Sequence, residues 1–492
     1  MGCTAALGAE QRPNILWITL EDRGPDFSCY GRKGVKTPHS DRLAEEGVLY
    51  ENVFATAPVC SPSRSTMMTG FYQNRIGANQ HRTREKKALP EGIRPIPHLL
   101  ADAGYFTCLM SAKVDVNFLP DQRGKLFQGR DWKERKEGQP FFARITFDAT
   151  HRPWKRDGVS PIDPAEIDLP PTYADTPLIR RDRANGLEQL QRVDRKIGKL
   201  LERLDQEGLR EKTLVILTAD HGSCHFRAKQ FLYEEGIRVP LILRWPGKLE
   251  AGKRKGELVS LIDLPATVMA VAGVEAPVPL QGRDLLGEQP PRKYVFAARD
   301  KMDQTHDAMR MVRNIRFKLI ENLMPERPWL QLNVYKESSY PDLAEMSLLH
   351  AQGKLNAAQA RIFAKTKPRL ELYDLWKDPH ELVNLADEEG AQGERERLEK
   401  VLQQWRTEVI QDVAPSPAFR AEGIYQDFPK DGTVAEWVKA NEKKIDFEKY
   451  GWPFRLPTRS AAEWKAVVEL WKPWVYRKPD SPVKRPIISG TP

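Results

Sequence analysis

Asn14 to Leu20 (N-I-L-W-I-T-L) is a near-continuous apolar run rich in β-branched residues, closed by Glu21-Asp22 and then Gly24-Pro25. Apolar on both faces, it predicts a buried parallel strand with two acids at its carboxyl end. Further strands are predicted over Phe106 to Met110, over Phe141 to Phe147 with Asp148 and His151 just beyond, over Thr213 to Thr218 leading into Asp220-His221-Gly222, and over Val239 to Arg244, stopped by Pro246-Gly247. Helical stretches fall around Leu43 and from Arg94 to Gly104. The strongest helix runs from Asp182 to Glu207. Leu187, Leu190, Val193, Ile197, Leu200, Leu201 and Leu204 recur there at spacings of three and four, and Gly208 closes it. Strands alternating with helices predict an α/β fold around a mostly parallel sheet.

Beyond about residue 300 the pattern changes. Met311 to Ile320 alternates like an antiparallel strand pair, and Leu370 to Leu375 with Lys377-Asp378-Pro379 predicts a strand and a turn. A charged helix follows from Gly393 to about Ile410. From about Pro415 the chain carries five of its twelve tryptophans: Trp437, Trp452, Trp464, Trp471 and Trp474. Rings at that density predict a segment packed on the main body rather than one stacking on a ligand. The expected organisation is an N-terminal remnant (1–11), a main domain (12–300), a smaller antiparallel-sheet and helix subdomain (301–414) and a Trp-rich extension (415–492).

Composition narrows the class. Of 492 residues, 40% are hydrophobic and 29% charged, which gives a large core, and no apolar run has the length of a membrane span. Lys plus Arg number 77 against 68 acids, a net charge of +9. That excess permits an anionic substrate without requiring nucleic acid, and reads as an ordinary charged surface. Five cysteines (Cys3, Cys29, Cys60, Cys108, Cys224) are too few and too odd for a disulfide scaffold. Cys29 and Cys108 read as buried small hydrophobes. The start, Met1-Gly2-Cys3, resembles the tail of a clipped export signal or lipobox as much as an ordinary terminus, and Ala6 excludes myristoylation.

The chemistry centres on Cys60-Ser61-Pro62-Ser63-Arg64, followed by Ser65 to Gly70. Pro62 predicts a helix start, where outward backbone N–H groups favour an anion, and Arg64 adds a guanidinium from the first turn. Alone, Cys60 reads either as a small residue at a loop-to-helix junction or as a thiol nucleophile of lowered pKa. Its company changes that. Glu21-Asp22, Asp220-His221 and the Asp148–His151 loop all fall at predicted strand carboxyl ends, the edge where open α/β sheets bind ligands. Convergent oxygen donors there suit a hard divalent cation.

These residues resemble a type I sulfatase of the alkaline phosphatase superfamily. The family's C-x-P-S-R-x(4)-T-G, in which the cysteine is oxidised to formylglycine, is matched by Cys60 to Gly70 without a mismatch. Asn14 to Asp22 matches the family's opening strand, with Glu21 in place of its first Asp. Asp220-His221-Gly222 matches its later strand end, and Lys229 to Ile242 its K-x(3)-Y-E-x-G-I-R-V-P-L-I pattern. The resemblance covers roughly residues 12 to 410. Within the family, Asp163 to Asp182 is similar to the heparan N-sulfatases (N-sulfoglucosamine sulfohydrolases), with Lys229 where those enzymes carry an Arg.

The resemblance implies an alkaline phosphatase-like α/β fold, a mostly parallel central sheet flanked by helices and a smaller C-terminal α+β subdomain. It implies a metal held by Glu21, Asp22, Asp220, His221 and the formylglycine at position 60. Calcium is the family habit, with magnesium or manganese as alternatives for a site containing a His. Arg64 would hold the formylglycine hydrate and the sulfate, Lys113 and Lys229 would contact sulfate oxygens, and His151 would protonate or orient the leaving group. A hydrated aldehyde carries two hydroxyls, one to attack sulfur and one to expel sulfate, which a serine or cysteine lacks. The implied partners are a sulfated sugar or glycan and a formylglycine-generating or sulfatase-maturing enzyme, with no nucleic acid. The implied location is periplasmic or secreted, with a lipid anchor as the alternative.

One departure matters. The family's G-K-x-H reads Ala112-Lys113-Val114-Asp115 here, then Val116-Asn117-Phe118, similar to the K-x-D-x-N-F of a bacterial sulfatase subgroup. Asp115 replaces a histidine that touches the hydrated aldehyde. It is either the base that collapses the sulfo-enzyme or a surface acid without a role. His225 either reaches substrate or is a solvated loop histidine. The expected function is a carbohydrate sulfatase, an N-sulfoglucosamine sulfamidase in its most specific form. The alternatives are a phosphonate or phosphate esterase of the same superfamily and a non-catalytic glycan-binding relative whose Cys60 stays a thiol.

Overall fold

The computed structural model describes residues 12–83, 85–111, 114–120, 124–303, 305–331, 333–412, 415, 459–486 and 488. The expected N-terminal remnant (1–11), Lys113, Trp437 and Trp452 lie outside the described residues. The central sheet has seven strands: β1 (Asn14–Leu20), β2 (Val48–Phe54), β3 (Phe106–Leu109), β4 (Phe141–Phe147), β5 (Thr213–Ala219), β6 (Arg238–Arg244) and β7 (Lys253–Ser260). Their spatial order is β3-β4-β1-β5-β6-β2-β7. The pairs β3–β4, β4–β1, β1–β5 and β2–β7 are parallel. Strand β6 alone is reversed, antiparallel to both β5 and β2.

Every residue of β1 and β5 is buried, as their unbroken apolar runs require. The sequence reading missed β2 because Glu51-Asn52 interrupts its apolar run, at the point where its pairing register shifts. It missed β7 because Lys253-Arg254-Lys255 opens that edge strand with charge.

The helices form two groups. One is α1 (Pro38–Glu45) with α4 (Pro177–Gln206); the other is α2 (Cys60–Thr69), α3 (Ile96–Asp102) and α5 (Asp263–Ala272). The long helix α4 starts five residues before the expected Asp182. Thr176 caps it by accepting from the Ile179 amide, and Pro177 occupies its first position. The start was hidden because Arg180-Arg181-Asp182-Arg183 breaks the apolar period. Three of those charges are buried in ion pairs, Arg181 with Glu188, Asp182 with Arg152 and Arg183 with Glu235.

A second sheet, β8 (Val295–Arg299), β9 (Met309–Arg313), β10 (Phe317–Asn322) and β11 (Leu370–Asp374), is antiparallel throughout. The helix α6 (Pro341–Ala351) and the C-terminal helix α7 (Ala461–Val475) pack on each other and on α4. Trp464 and Trp471 are buried there in one apolar cluster with Leu178, Ala344 and Leu348. No helix among the described residues is long and apolar enough to cross a membrane.

Candidate active site

Strands β1 and β5 are neighbours and parallel, so their carboxyl ends deliver Glu21-Asp22 and Asp220-His221 side by side. The backbone locks them together: the Asp220 amide donates to Leu20 O, the Arg23 amide to His221 O, and the Asp22 amide to Asp220 Oδ1 at 3.0 Å. Asp22 sits at φ +57°, which swings its carboxylate off the strand direction. Gly222 follows, and a Cβ there would lie 2.1 Å from Glu235 O, so only glycine allows the turn.

Across this edge stands α2, with Cys60 as its first residue and all ten residues buried. The Cys60 Sγ is 3.3 Å from His221 Nε2, 3.6 Å from Asp22 Oδ1 and 3.4 Å from Lys229 Nζ. Lys229 donates to both Asp22 oxygens at 2.9 Å. Its loop is tied to the α2 entrance by the Gln230 amide, which donates to Pro58 O. Arg64 Nε donates to Asp220 Oδ2 at 2.8 Å, and its NH2 lies 3.7 Å from Glu21 Oε1. Burial opposes ionising Asp22, yet Lys229, His151 and His221 together hold its carboxyl well below the usual range. Burial, with Asp22, Asp220 and Glu21 adding to it against Lys229, pushes the Cys60 thiol well up. A raised pKa runs against the reading of Cys60 as a thiol nucleophile of lowered pKa.

Asp22, Cys60, Asp220 and His221 place one donor atom each within 4.8 Å of one another, all buried. His221 donates from Nδ1 to Gly222 O, which turns Nε2 toward Asp22 Oδ1 at 2.9 Å. A ring nitrogen facing a carboxylate at that distance needs a proton or a cation between them. Three carboxylates, Glu21, Asp22 and Asp220, meet two buried cations, Arg64 and Lys229. This donor set fits a hard divalent cation. Glu21 is a little apart: its carboxylate groups with Cys60 and Asp115 rather than with Asp22, Asp220 and His221.

Asp115, at φ +56°, is not a surface acid: its side chain is only 9% exposed. It takes a two-pronged bond from Arg82, at 3.1 and 2.7 Å. Burial would raise it, but Arg82 holds its carboxyl far below the usual range, so it is a weak base. Arg82 in turn donates its amide to Ser61 Oγ in the first turn of α2. Asn117 fixes the same loop through the Gln80 carbonyl and the Thr83 amide. Sequence reasoning missed Arg82 and Asn117. Arg82 opens a basic stretch that reads as solvated surface, and Asn117 was legible only as a letter in a pattern.

His151 Nε2 lies 3.6 Å from Asp22 Oδ2, while Nδ1 is held by the Arg152 carbonyl at 2.6 Å and by Tyr335. Burial, then Lys229, lowers its pKa against the pull of Asp22. His225 is buried rather than solvated. It stacks edge-on to Trp154 and Tyr173 and bonds Asp342 at 3.2 Å, away from the cleft that opens beside Cys60. That cleft, of about 700 Å³, is lined by Glu21, Arg82 and His151 on the side of the site and by α4 on the other.

Comparison with known proteins now adds the family. The Sulfatase family model matches residues 13–128 and 126–274, and the model for the C-terminal part of N-sulphoglucosamine sulphohydrolase matches residues 222–340. An ulvan-active sulfatase of Formosa agariphila is 32% identical over 454 residues, covering 82% of this chain and 76% of that protein. Human N-sulphoglucosamine sulphohydrolase is 26% identical, covering 80% and 90%. A solved structure of a protein with its substrate D-glucosamine-2-N,6-O-disulfate superposes with a TM-score of 0.62 at 18% identity, covering 82% of this chain and 99% of that one, and shows the common fold.

Proposed function

The chain belongs to the Sulfatase family and is a sulfuric ester hydrolase, and from that premise we propose that it removes sulfate from a sulfated saccharide, using a formylglycine made from Cys60. The observation that carries the reading is the position of Cys60. It opens α2 within 3.6 Å of Asp22, His221 and Lys229, where burial and the surrounding carboxylates push the pKa of its own thiol well up. Oxidation to formylglycine supplies an oxygen nucleophile, the aldehyde hydrate, that such a buried thiol cannot. Asp22, Asp220 and His221, with Glu21 beside them, would hold the divalent cation, calcium by family habit, and it would supply Lewis-acid polarisation of oxygen.

The chain's own cations do the rest. Arg64, fixed by Asp220, and Lys229, fixed by Asp22, flank position 60, with Lys113 proposed as a third. Fixed positive charge stabilises the negative charge that spreads over the sulfate oxygens as the bond to sulfur breaks. His151 is oriented by Arg152 O, so Nε2 faces the site and can carry a proton to the leaving oxygen or nitrogen. Its lowered pKa makes it a ready proton donor once charged. Asp115, neutralised by Arg82, positions that arginine rather than acting as the base.

Both relatives' names point to saccharide substrates, one to ulvan and one to N-sulfoglucosamine. An N-sulfoglucosamine sulfamidase is the narrower form of the proposal. The first experiment is the mass of the tryptic peptide Leu43–Arg64 from protein made in its native host. We expect the aldehyde or its hydrate at position 60. Sulfate release is then measured from N-sulfated and O-sulfated glucosamine, an aryl sulfate and an aryl phosphate diester. An unmodified thiol in active protein would overturn the mechanism. Faster cleavage of the phosphate diester than of every sulfate would overturn the substrate class.

A further inference from the structure

The cleft beside Cys60 is asymmetric in charge. Its lining carries seven Lys and Arg side chains against two carboxylates, Glu21 and Asp148. Three of the cations are already neutralised: Arg82 by Asp115, Arg152 by Asp182 and Arg195 by Asp157. The other four, Lys155, Arg192, Lys196 and Lys199, make no ion pair with any described residue. Arg192 is half-buried, and the three lysines are exposed.

Arg192, Lys196 and Lys199, with the paired Arg195 among them, recur along α4 at the spacing of one helix face. From Arg192 to Lys199 they span about 10 Å at 1.5 Å per residue. One sulfate seated at position 60 cannot meet them all. The same cleft reaches Glu21 and His151, which belong to the Cys60 site, so a ligand whose sulfate sits there continues toward α4. Four cations without an ion pair among the described residues therefore face one cleft, three of them from α4 and Lys155 from the loop before it.

We propose that this wall of α4 is a second anion-binding subsite, which takes further sulfate or carboxylate groups of the same saccharide. The substrate is then an oligosaccharide bearing several anionic groups rather than a singly sulfated sugar. The inference rests on the sulfated-saccharide reading above. In a cleft with low-dielectric walls, like charges reinforce one another, so they both concentrate a polyanion and select for it.

The test compares the wild type with Lys196→Glu/Lys199→Glu, both exposed positions, and with the milder Lys196→Gln/Lys199→Gln. Binding of a heparin-derived hexasaccharide and of N-sulfoglucosamine is followed by titration calorimetry at low and physiological salt, with sulfate release measured in parallel. We expect hexasaccharide affinity to fall roughly tenfold or more in the Glu variant and by an intermediate factor in the Gln variant. The difference should shrink as salt rises, and the loss for the monosaccharide should be several-fold smaller. Equal hexasaccharide affinity in all three proteins, or none for the wild type at low salt, overturns the subsite. Charge-dependent binding with no sulfate released from any substrate would support the subsite and strike the proposed function. Sulfate release with charge-independent binding would do the reverse.

Discussion

Two buried clusters of acids and histidine each take one histidine from the loop after β5, His221 and His225, and they solve the same electrostatic problem differently. In the first, Asp22, Asp220, His221 and Cys60 converge, with Lys229 and Arg64 each holding one carboxylate from the side. In the second, Asp182, His225 and Asp342 converge just as closely. There a side chain of the protein fills the centre. Arg152 donates twice to Asp182, at 3.0 and 2.6 Å, and lies 3.7 Å from Asp342 and 3.4 Å from His225. Its guanidinium is clamped between Trp154 and Tyr340, 3.8 and 4.6 Å from their ring centres. Donor type and spacing alone would name both clusters as cation sites. The second already holds its cation, covalently attached, so it has no vacancy for chemistry. It ties the starts of α4 and α6 to the active-site loop. The first has carboxylates held from one side and a reactive position facing them.

That contrast predicts opposite phenotypes. Cys60→Ala, in the first cluster, should cost on the order of 10⁴ or more in turnover, because an alanine carries no heteroatom through which the aldehyde could be made. Its urea midpoint should stay close to that of the wild type, since one buried atom changes and every ion pair around it remains. Activity within tenfold of wild type would mean that position 60 is not the nucleophile. Arg152→Met, in the second cluster, leaves two carboxylates buried without their cation. Removing one partner of such a buried pair costs about 3–5 kcal/mol, which denaturant titration reads directly. A midpoint unchanged in Arg152→Met would show that Asp182 and Asp342 are balanced by something other than the arginine.

The same contrast explains what the sequence made legible. The first cluster was readable almost whole because each member follows a strand whose apolar run is unmistakable, or lies in the Cys60 to Gly70 motif. Strand ends fix where a side chain goes, so Asp22 beside Asp220 follows from two neighbouring parallel strands. The second cluster was not readable. Its members come from α4, from α6 and from a loop, and their adjacency depends on how those elements dock. For this reason His225 reads as a substrate contact or a solvated loop histidine and is neither, and the start of α4 was missed because its buried charges look like surface charges until their partners appear. The basic wall of the cleft was hidden likewise. A net charge summed over the chain carries no information on where Arg192, Lys196 and Lys199 gather. Arg82 shows the limit of single-residue reading: its guanidinium is fixed by Asp115, thirty-three positions away.

A third buried carboxylate sharpens the comparison by having neither arrangement. Glu337 is fully buried, neither of its oxygens has a hydrogen-bond partner among the described residues, and Arg459 comes no closer than 3.7 Å. Burial raises its pKa from 4.5 to about 7, with Arg459 only partly opposing. The folded protein therefore holds a proton that the unfolded chain has lost between about pH 4.5 and 7. The stability this group contributes is present in full below pH 4.5 and falls as pH rises through that window. A shift of that size corresponds to about 3 kcal/mol. Glu337→Gln cannot titrate, so its stability relative to wild type should rise by most of that amount, about 2.5 kcal/mol, between pH 5 and pH 8, whatever constant offset the substitution brings. Urea midpoints of both proteins at the two pH values measure the change. A difference that does not move with pH would mean that Glu337 is ionised throughout. Arg459 would then act on it as Arg152 acts on Asp182, and the carboxylate would belong with the second cluster instead of standing apart from both.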